Sequence, residues 1–443
     1  MKKWRLTSTE RYPIPYPTCE EVEVVKLKHF LQFEIEIENK MMFKLNAALF
    51  IAVQLIFPSF VDAFAVRVET TDRKRRLGKK SFIQRQERGK LQKIASAEEL
   101  KDLASTFDRR KPGSDGYWKG WKHWCMLAIE SIRYDLSENL PYPTDKAKFE
   151  NLFYRLGVAA DMGDMPSFSD PGARSGYALE FFSRARNLAD LYIDAFNPSY
   201  TFPEFWVETM LETPMLGGNN ENGEPYHMVS LGGGPAFDFV GAALASSFST
   251  STTGEGSRAI KATILDYEEG WGDLVEAMDV STRNILQEPY FSCKWGGKCD
   301  ITKPLKDPSN VACLEAMDST ELWTCQYCVA ENLNLLRESN YIFFHDLFEN
   351  AKDGAIFIMT ETHPRIWPEL YKLMKDHCTY MEIGFNKNGR QMLLRKGTDS
   401  RQSTPLISKK DRELLEKFEN IGRYHERKMN AGWERKEQKI RGS

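Results

Sequence analysis

The sequence predicts an α/β protein with a mostly parallel sheet that closes on an antiparallel hairpin, behind an all-helical segment. Three observations carry this expectation. From about residue 216 short apolar runs alternate with helical stretches, a triple glycine follows the first run, and the last two runs flank Asn386-Lys387-Asn388-Gly389. Strands alternating with helices need crossover connections and hence a parallel sheet, whereas an Asn-Gly turn joins antiparallel neighbours.

Composition sets the outer bounds. The chain has 443 residues, 42% apolar and 28% charged, with a formal net charge of -3. That is ordinary for a globular protein and excludes a nucleic-acid coat, while leaving room for local basic patches. The eight cysteines are too few for a disulfide scaffold and suit a reducing compartment.

The front end reads as an address. Residues 42–63 (MFKLNAALFIAVQLIFPSFVDA) have Lys40 and Lys44 as a basic flank, an apolar run from Leu45 to Phe60, and small residues Val61 and Ala63 at a cleavage position. Asn46, Gln54 and Pro58 interrupt the run, so a signal peptide is preferred to a membrane span, and no stable span is expected after its removal. The segment 64–95 opens with Phe64, and Arg67 to Lys93 holds eleven Lys/Arg against three acids, a net of +8. Basic, acid-poor stretches characterise transit peptides. Signal peptide, Phe and basic segment together resemble the bipartite leaders of diatom-type plastids. The resemblance implies a plastid address; a secretory or cytoplasmic location is the alternative. Residues 1–41, with the alternating Glu34-Ile35-Glu36-Ile37-Glu38, stand ahead of this leader as an upstream extension, and translation is expected to begin at Met41 or Met42.

A helical domain is expected over 96–215. Ser96 followed by Glu99 is a capping signature. Trp118, Trp121, Trp124 and Leu127 recur on one face as a core stripe. A longer helix is expected from Ser175 to Phe196, with Tyr177, Phe181, Arg184, Leu188 and Leu191 at helical spacing and Pro198 as its stop.

The catalytic domain is expected over 216–400, after the polar turn Gly217 to Gly223. Its strands are Val229 to Leu231, Ala259 to Leu265, Leu322 to Val329, Ala355 to Thr360, and the hairpin Thr379 to Phe385 with Arg390 to Arg395; a helix covers Tyr341 to Ala351. Ser246 to Ser257 (SSFSTSTTGEGS) reads as a flexible loop. The segment 401–443 reads as a charged helix or tail. Lys409 to Arg441 carries eleven basic and seven acidic residues, with Leu414, Leu415 and Phe418 on one face.

The chemistry centres on His227 to Asp238 (HMVSLGGGPAFD), an apolar strand running through three glycines into a helix. Glycines let the backbone turn sharply and approach a ligand, and the helix N-terminus behind them offers free N–H groups. Such a cradle serves a dinucleotide or a nucleoside cofactor. The dinucleotide fingerprint wants Gly or Ala at position 237, where this chain has Phe, and an acid about 20 residues on. Here the acid is Asp266, 34 residues after Gly232.

Leu231 to Asp238 with Phe239-Val240-Gly241 resembles the first motif of class I, Rossmann-like S-adenosylmethionine-dependent methyltransferases. Ala236 stands at that motif's third glycine and Ser230 at its usual acid. The resemblance covers roughly 226–396 and implies a seven-stranded sheet. It implies S-adenosyl-L-methionine as cofactor, held by Ser230, Gly232, Gly233, Gly234, Asp238, Asp266, Tyr267, Asp300, Ile301 and Tyr327. In it Asp266, with Glu268 in reserve, takes the ribose hydroxyls. In Cys299-Asp300-Ile301-Thr302 the acid takes the adenine amino group and Ile301 packs on the ring. Leu322 to Asn332 lines the cofactor and acceptor pocket.

Methyl transfer needs alignment, a dry pocket and in some cases a base. Tyr327, Glu331, Glu361 and His363 fall at carboxyl ends of expected strands and are the catalytic candidates. No metal is expected: Cys325 and Cys328 fall on an expected strand, where residues three apart face opposite sides. A small metabolite is the preferred acceptor, because an acidic balance and a helical cap suit an enclosed pocket. Protein or RNA acceptors, a non-catalytic scaffold and a nicotinamide-dependent oxidoreductase are the alternatives.

Overall fold

The computed structural model describes residues 95–106, 115–162, 167–194, 225–253, 259–288, 290–361, 364–383, 390–397 and 406–423, all within one compact unit, Lys90–Ser443. The leader, the upstream extension, Gly217 to Gly223, His363, the hairpin turn and residues 424–443 lie outside the described residues. No described helix is long and apolar enough to cross a membrane.

Five helices precede the sheet: α1 (Ala97–Ser105), α2 (Asp115–Glu138), α3 (Lys146–Met162), α4 (Pro171–Glu180) and α5 (Arg184–Asp194). Ser96 and Glu99 form the capping box at α1. In α2 the buried face is Trp121, Cys125, Ala128, Ile132 and Leu136, a repeat of three to four residues. Both tryptophans direct their indole N–H to partners, Trp121 to Asp190 Oδ1 and Trp124 to the Leu100 carbonyl, each at 3.0 Å.

The single helix expected from Ser175 is broken. Residues 181–183 form a turn between α4 and α5, and Phe181 leaves helical geometry at ψ 11°. Helical spacing persists on both sides of the break, so periodicity alone does not register it. Asp170 caps α4 by accepting from Ala173 N, and Pro171 occupies its first turn.

The sheet then follows: β1 (Tyr226–Leu231), α6 (Phe237–Thr253), β2 (Ile260–Asp266), α7 (Gly272–Leu286), β3 (Phe291–Lys298), α8 (Val311–Ala316), β4 (Leu322–Gln326), α9 (Leu333–Glu338), α10 (Ile342–Asn350), β5 (Ile356–Thr360), α11 (Trp367–Met374), β6 (Cys378–Glu382), β7 (Gln391–Lys396) and β8 (Leu406–Ile407). A helix over 409–423 ends the described chain. Strand order is β3-β2-β1-β4-β5-β7-β6-β8. The first five strands pair parallel, β7 pairs antiparallel with β5 and β6, and two-residue β8 joins the edge. Seven strands in this order make the Rossmann-like methyltransferase sheet.

Both faces of the sheet are apolar, as parallel strands between two helical layers require. Met228, Ala262, Ile264 and Leu322 face a cluster with α1, α2, α4, α5, α6 and α7. Val229, Leu231, Leu265 and Trp323 face the other, with α9, α10, α11 and the terminal helix, where Leu415 and Phe418 are buried. The helices before β1 therefore share one core with α6 and α7, on one face of the sheet.

Two further expectations are corrected. Ser246 to Thr253 is not a loop but the last two turns of α6. Phe248, fully buried against Trp121 and Trp124 at 5.1 and 5.3 Å, anchors those turns, and this packing overrides the weak helix propensity of Ser and Thr. The fourth strand stops at Gln326 rather than Val329, because Tyr327 takes φ +63°.

Candidate active site

Strand order reverses at β1: the chain steps to β2 and β3 on one side, then crosses to β4 and β5 on the other. Ligands of open α/β sheets bind at the carboxyl ends of strands at such a point. A cleft of about 760 Å³, partly open to solvent, lies there; Gly232 to Gly234, Asp266, Asp300, Tyr327 and Glu331 are among its lining residues.

The glycine turn is shaped for close approach. Gly232 and Gly234 have φ +61° and +46°, the left-handed region that glycine adopts freely. A Cβ on Gly233 would lie 2.5 Å from Ser230 Oγ and 2.8 Å from Ile264 Cγ2, whereas one on Gly234 would reach only the Trp271 ring at 3.6 Å. Gly233 is thus closed by the protein itself, and Gly234 has room on its cleft side. Ala236 also sits at positive φ, +68°, so the alanine at the motif's third-glycine position carries backbone strain.

Asp266 ends β2 and stands against this turn. Its carboxylate accepts from Gly234 N at 3.0 Å and Glu268 N at 3.1 Å. Burial raises its pKa from 3.8 to about 6, against the lowering effect of these backbone bonds. Glu268 turns away to cap the next turn, accepting from Gly270 N. Beyond β3, Asp300 accepts from Thr302 N and Oγ1 through Oδ1, and Ile301 lies beside it in the lining.

Ser230 does not line the cleft. Its Oγ donates to Asp238 Oδ2 at 2.6 Å, and so does Thr324 Oγ1. The carboxylate absent at position 230 is supplied from α6, eight residues later, and Asp238 reaches the cleft floor. Burial raises the Asp238 pKa, opposed by the two hydroxyls.

After β4, Tyr327 brings its ring to the cleft, and Asn187 donates to its hydroxyl at 2.6 Å. The same turn brings Cys325 and Cys328 Sγ within 2.9 Å. The opposite-face geometry expected for these cysteines does not hold, because Tyr327 has left the strand. Among the described residues the one group spaced for a metal is His345, Asp346 and Glu349 on α10, outside the cleft.

Glu331 lines the cleft, where burial raises its pKa to about 8; Arg184 opposes that rise while Glu361 and Asp266 add to it. Glu361 is fully buried and accepts from Val329 N and Ala330 N at 2.7 and 3.2 Å. It therefore holds the loop that carries Glu331 and does not itself line the cleft.

The helices before β1 contribute what sequence reasoning missed. Phe168, Tyr177 and Arg184 line the cleft. The Arg184 guanidinium lies 4.2 Å from the Tyr327 ring centre and 4.5 Å from that of Phe181, and donates to Tyr177 Oη. Helical spacing placed Tyr177 and Arg184 on one face; the turn at 181–183 aims that face at β4.

These residues fit S-adenosylmethionine. Among the buried side-chain polar atoms of the cleft wall that have no hydrogen-bond partner are Trp271 Nε1, Asn332 Oδ1 and both Nε2 and Oε1 of Gln326, and such atoms call for a polar ligand. In such a fit the open side of Gly234 would form the cradle, Asp266 and Asp300 would offer carboxylate oxygens to ribose and adenine, and Arg184 would offer a cation to the methionine carboxylate. A dinucleotide fits worse: Phe237 opens α6 and packs on Tyr177 and Phe182 at 6.1 and 5.9 Å, where a pyrophosphate would need to approach.

No family model matches the chain, and no curated protein matches it. Among solved structures, parts of the chain are similar to the following. A S-adenosylmethionine-dependent methyltransferase from Methanosarcina mazei is 11% identical, with a TM-score of 0.28 over 40% of this chain and 94% of that one. An O-methyltransferase from Thermotoga maritima is 12% identical at 0.26, over 48% and 72%. The N-methyltransferase NodS from Bradyrhizobium japonicum, solved with S-adenosylhomocysteine, is 11% identical at 0.25, over 49% and 100%.

Proposed function

We propose that this chain is a S-adenosylmethionine-dependent methyltransferase acting on a small-molecule acceptor. The observation that carries the reading is Asp266, a carboxylate at the end of β2 tied to the glycine turn through Gly234 N and left with lone pairs toward the cleft. A carboxylate there accepts both hydroxyls of a ribose. Asp300 and Ile301 extend the same wall to an adenine, and Arg184 pairs with a carboxylate on the opposite side.

The cofactor supplies a methyl group already activated on a sulfonium. The protein's part is to bind, align and exclude water. The acidic lining of Asp238, Asp266 and Glu331 favours a cation in the cleft. Phe168, in the loop before α4, and Tyr177 on α4 wall off one side of the cleft, which supports a small acceptor. The leader over 42–95 directs the protein to a plastid in this reading.

Calorimetric titration of the full chain with S-adenosylmethionine and with NADH, alongside Gly234→Arg, tests the assignment. Micromolar binding of S-adenosylmethionine, lost in the variant, is the expected result. Absence of binding by folded protein refutes the reading in favour of a scaffold, and binding of NADH instead would assign the glycine turn to a dinucleotide.

A further inference from the structure

Resting on that reading, we infer that the acceptor is an amine and that Glu331 is the catalytic residue that takes its proton. The lining is unbalanced in charge. Among its described residues Arg184 is the one cation, while Asp238, Asp266, Asp300 and Glu331 are acids. Bound cofactor engages Asp266, Asp300 and Arg184 through ribose, adenine amine and carboxylate. Asp238 is held by the hydroxyls of Ser230 and Thr324, so Glu331 is the remaining ionisable carboxyl that can meet an acceptor, and no cation among the described lining residues remains for a carboxylate or phosphate. An acceptor carrying an ammonium is what this remainder binds.

Position supports the role. Glu331 stands on the loop after β4, with the strained Tyr327 four residues before it, and Glu361 holds that loop by two backbone N–H groups. The charged and titratable groups facing it are Arg184 and Tyr177 from the helices before β1, Asp266 and Tyr267 at the end of β2, Cys328 on its own loop, and Glu361 at the end of β5. Burial, helped by Glu361 and Asp266 and opposed by Arg184, raises its pKa to about 8, close to that of an amine and suited to sharing a proton with it.

The step balances. At pH 7 binding of the ammonium first displaces the Glu331 proton to solvent, and the ammonium then gives one proton to the carboxylate so formed, exposing the nitrogen lone pair. That lone pair forms the N–C bond as the C–S bond breaks, and both electrons of the broken bond stay on sulfur. The product leaves as a methylammonium.

The test uses full-chain protein saturated with S-adenosylhomocysteine, whose own titration first reports whether the cofactor reading stands. Benzylamine, benzyl alcohol and benzoate are then titrated into the wild type, Glu331→Gln and Glu331→Asp. Benzylamine is expected to bind at least about tenfold more tightly than the other two. Its binding at pH 7 should release about one proton to buffer, as read from buffers of different ionisation enthalpy. Glu331→Gln should abolish both the preference and the proton release while still binding S-adenosylhomocysteine, and Glu331→Asp should restore part of each. Equal binding of the three, no binding, a preference for benzoate, or a proton count unchanged in Glu331→Gln would overturn the inference.

Discussion

Asp266 makes cofactor affinity a function of pH in a calculable way. Its carboxyl titrates at about 6 in the empty protein, against 3.8 for an ordinary aspartate. An acid with a raised folded-state pKa contributes stability that is present below pH 3.8 and is lost as pH rises through 6. Two ribose hydroxyls donating together bind the ionised form more strongly, since both of its oxygens accept, so ligand binding draws the proton off. At pH 5 about nine-tenths of the sites are protonated and must ionise before binding; at pH 7 about one-tenth are. Apparent affinity for S-adenosylhomocysteine should therefore fall about tenfold from pH 7 to pH 5, or about 1.4 kcal/mol. Glu331 is predominantly protonated throughout this window and adds little slope. Isothermal titration at half-unit intervals measures the curve, and Asp266→Asn, which keeps the shape but cannot titrate, supplies the control. The variant should bind more weakly at pH 7, by about 1.5–3 kcal/mol for a charge-assisted contact, and with a flat profile. A wild-type profile that is equally flat, or a sloping one in the variant, would refute the role assigned to Asp266.

Three further outcomes follow from the same geometry. Gly233→Ala forces a Cβ against Ser230 and Ile264 and should cost about 1–3 kcal/mol in denaturant unfolding. Gly234→Ala meets no clash, so it should cost about 1–2 kcal/mol for its backbone conformation and should show its larger effect in S-adenosylhomocysteine titration. Arg184→Ala should weaken that ligand at least about tenfold, and Arg184→Lys should recover little, because an ammonium lacks the planar face that stacks on Tyr327 and Phe181. Ala236→Gly relieves a positive φ and should raise stability by up to about 1 kcal/mol after the added freedom of the unfolded chain is subtracted; a loss of that size in urea unfolding would show that the methyl group is needed for packing.

Much of the sheet was legible because its strands are apolar on both faces and short. β1, β2, β4, β5 and the closing hairpin stand out as apolar runs. β3 does not: Lys294, Gly296, Gly297 and Lys298 dilute it, and its register against β2 shifts at Ile264/Leu265. Two-residue β8 has no period to read. At the site, Asp266 is signalled as the acid that ends the second apolar run, and Asp300 by the resemblance of Cys299 to Thr302 to the family's third motif. Arg184 is not, since local spacing does not reveal that a turn at 181–183 will carry one helical face to the end of β4. Glu361 looked equivalent to Glu331 in sequence; its separation into a loop support depends on which backbone amides lie beside it.

The exchange of Ser230 with Asp238 also constrains how this glycine turn can vary. One buried carboxylate serves the position, delivered from the helix rather than the strand and received by two hydroxyls. Moving the acid to the strand takes two substitutions, and either order is costly. Changing Ser230 to Asp first crowds two buried acids together, while changing Asp238 to Ser first leaves Ser230 and Thr324 donating to a weaker acceptor. The two arrangements are thus separate solutions across a fitness valley, and sequences on this side of it should be recognised by the residue pair rather than by an acid ahead of the glycines.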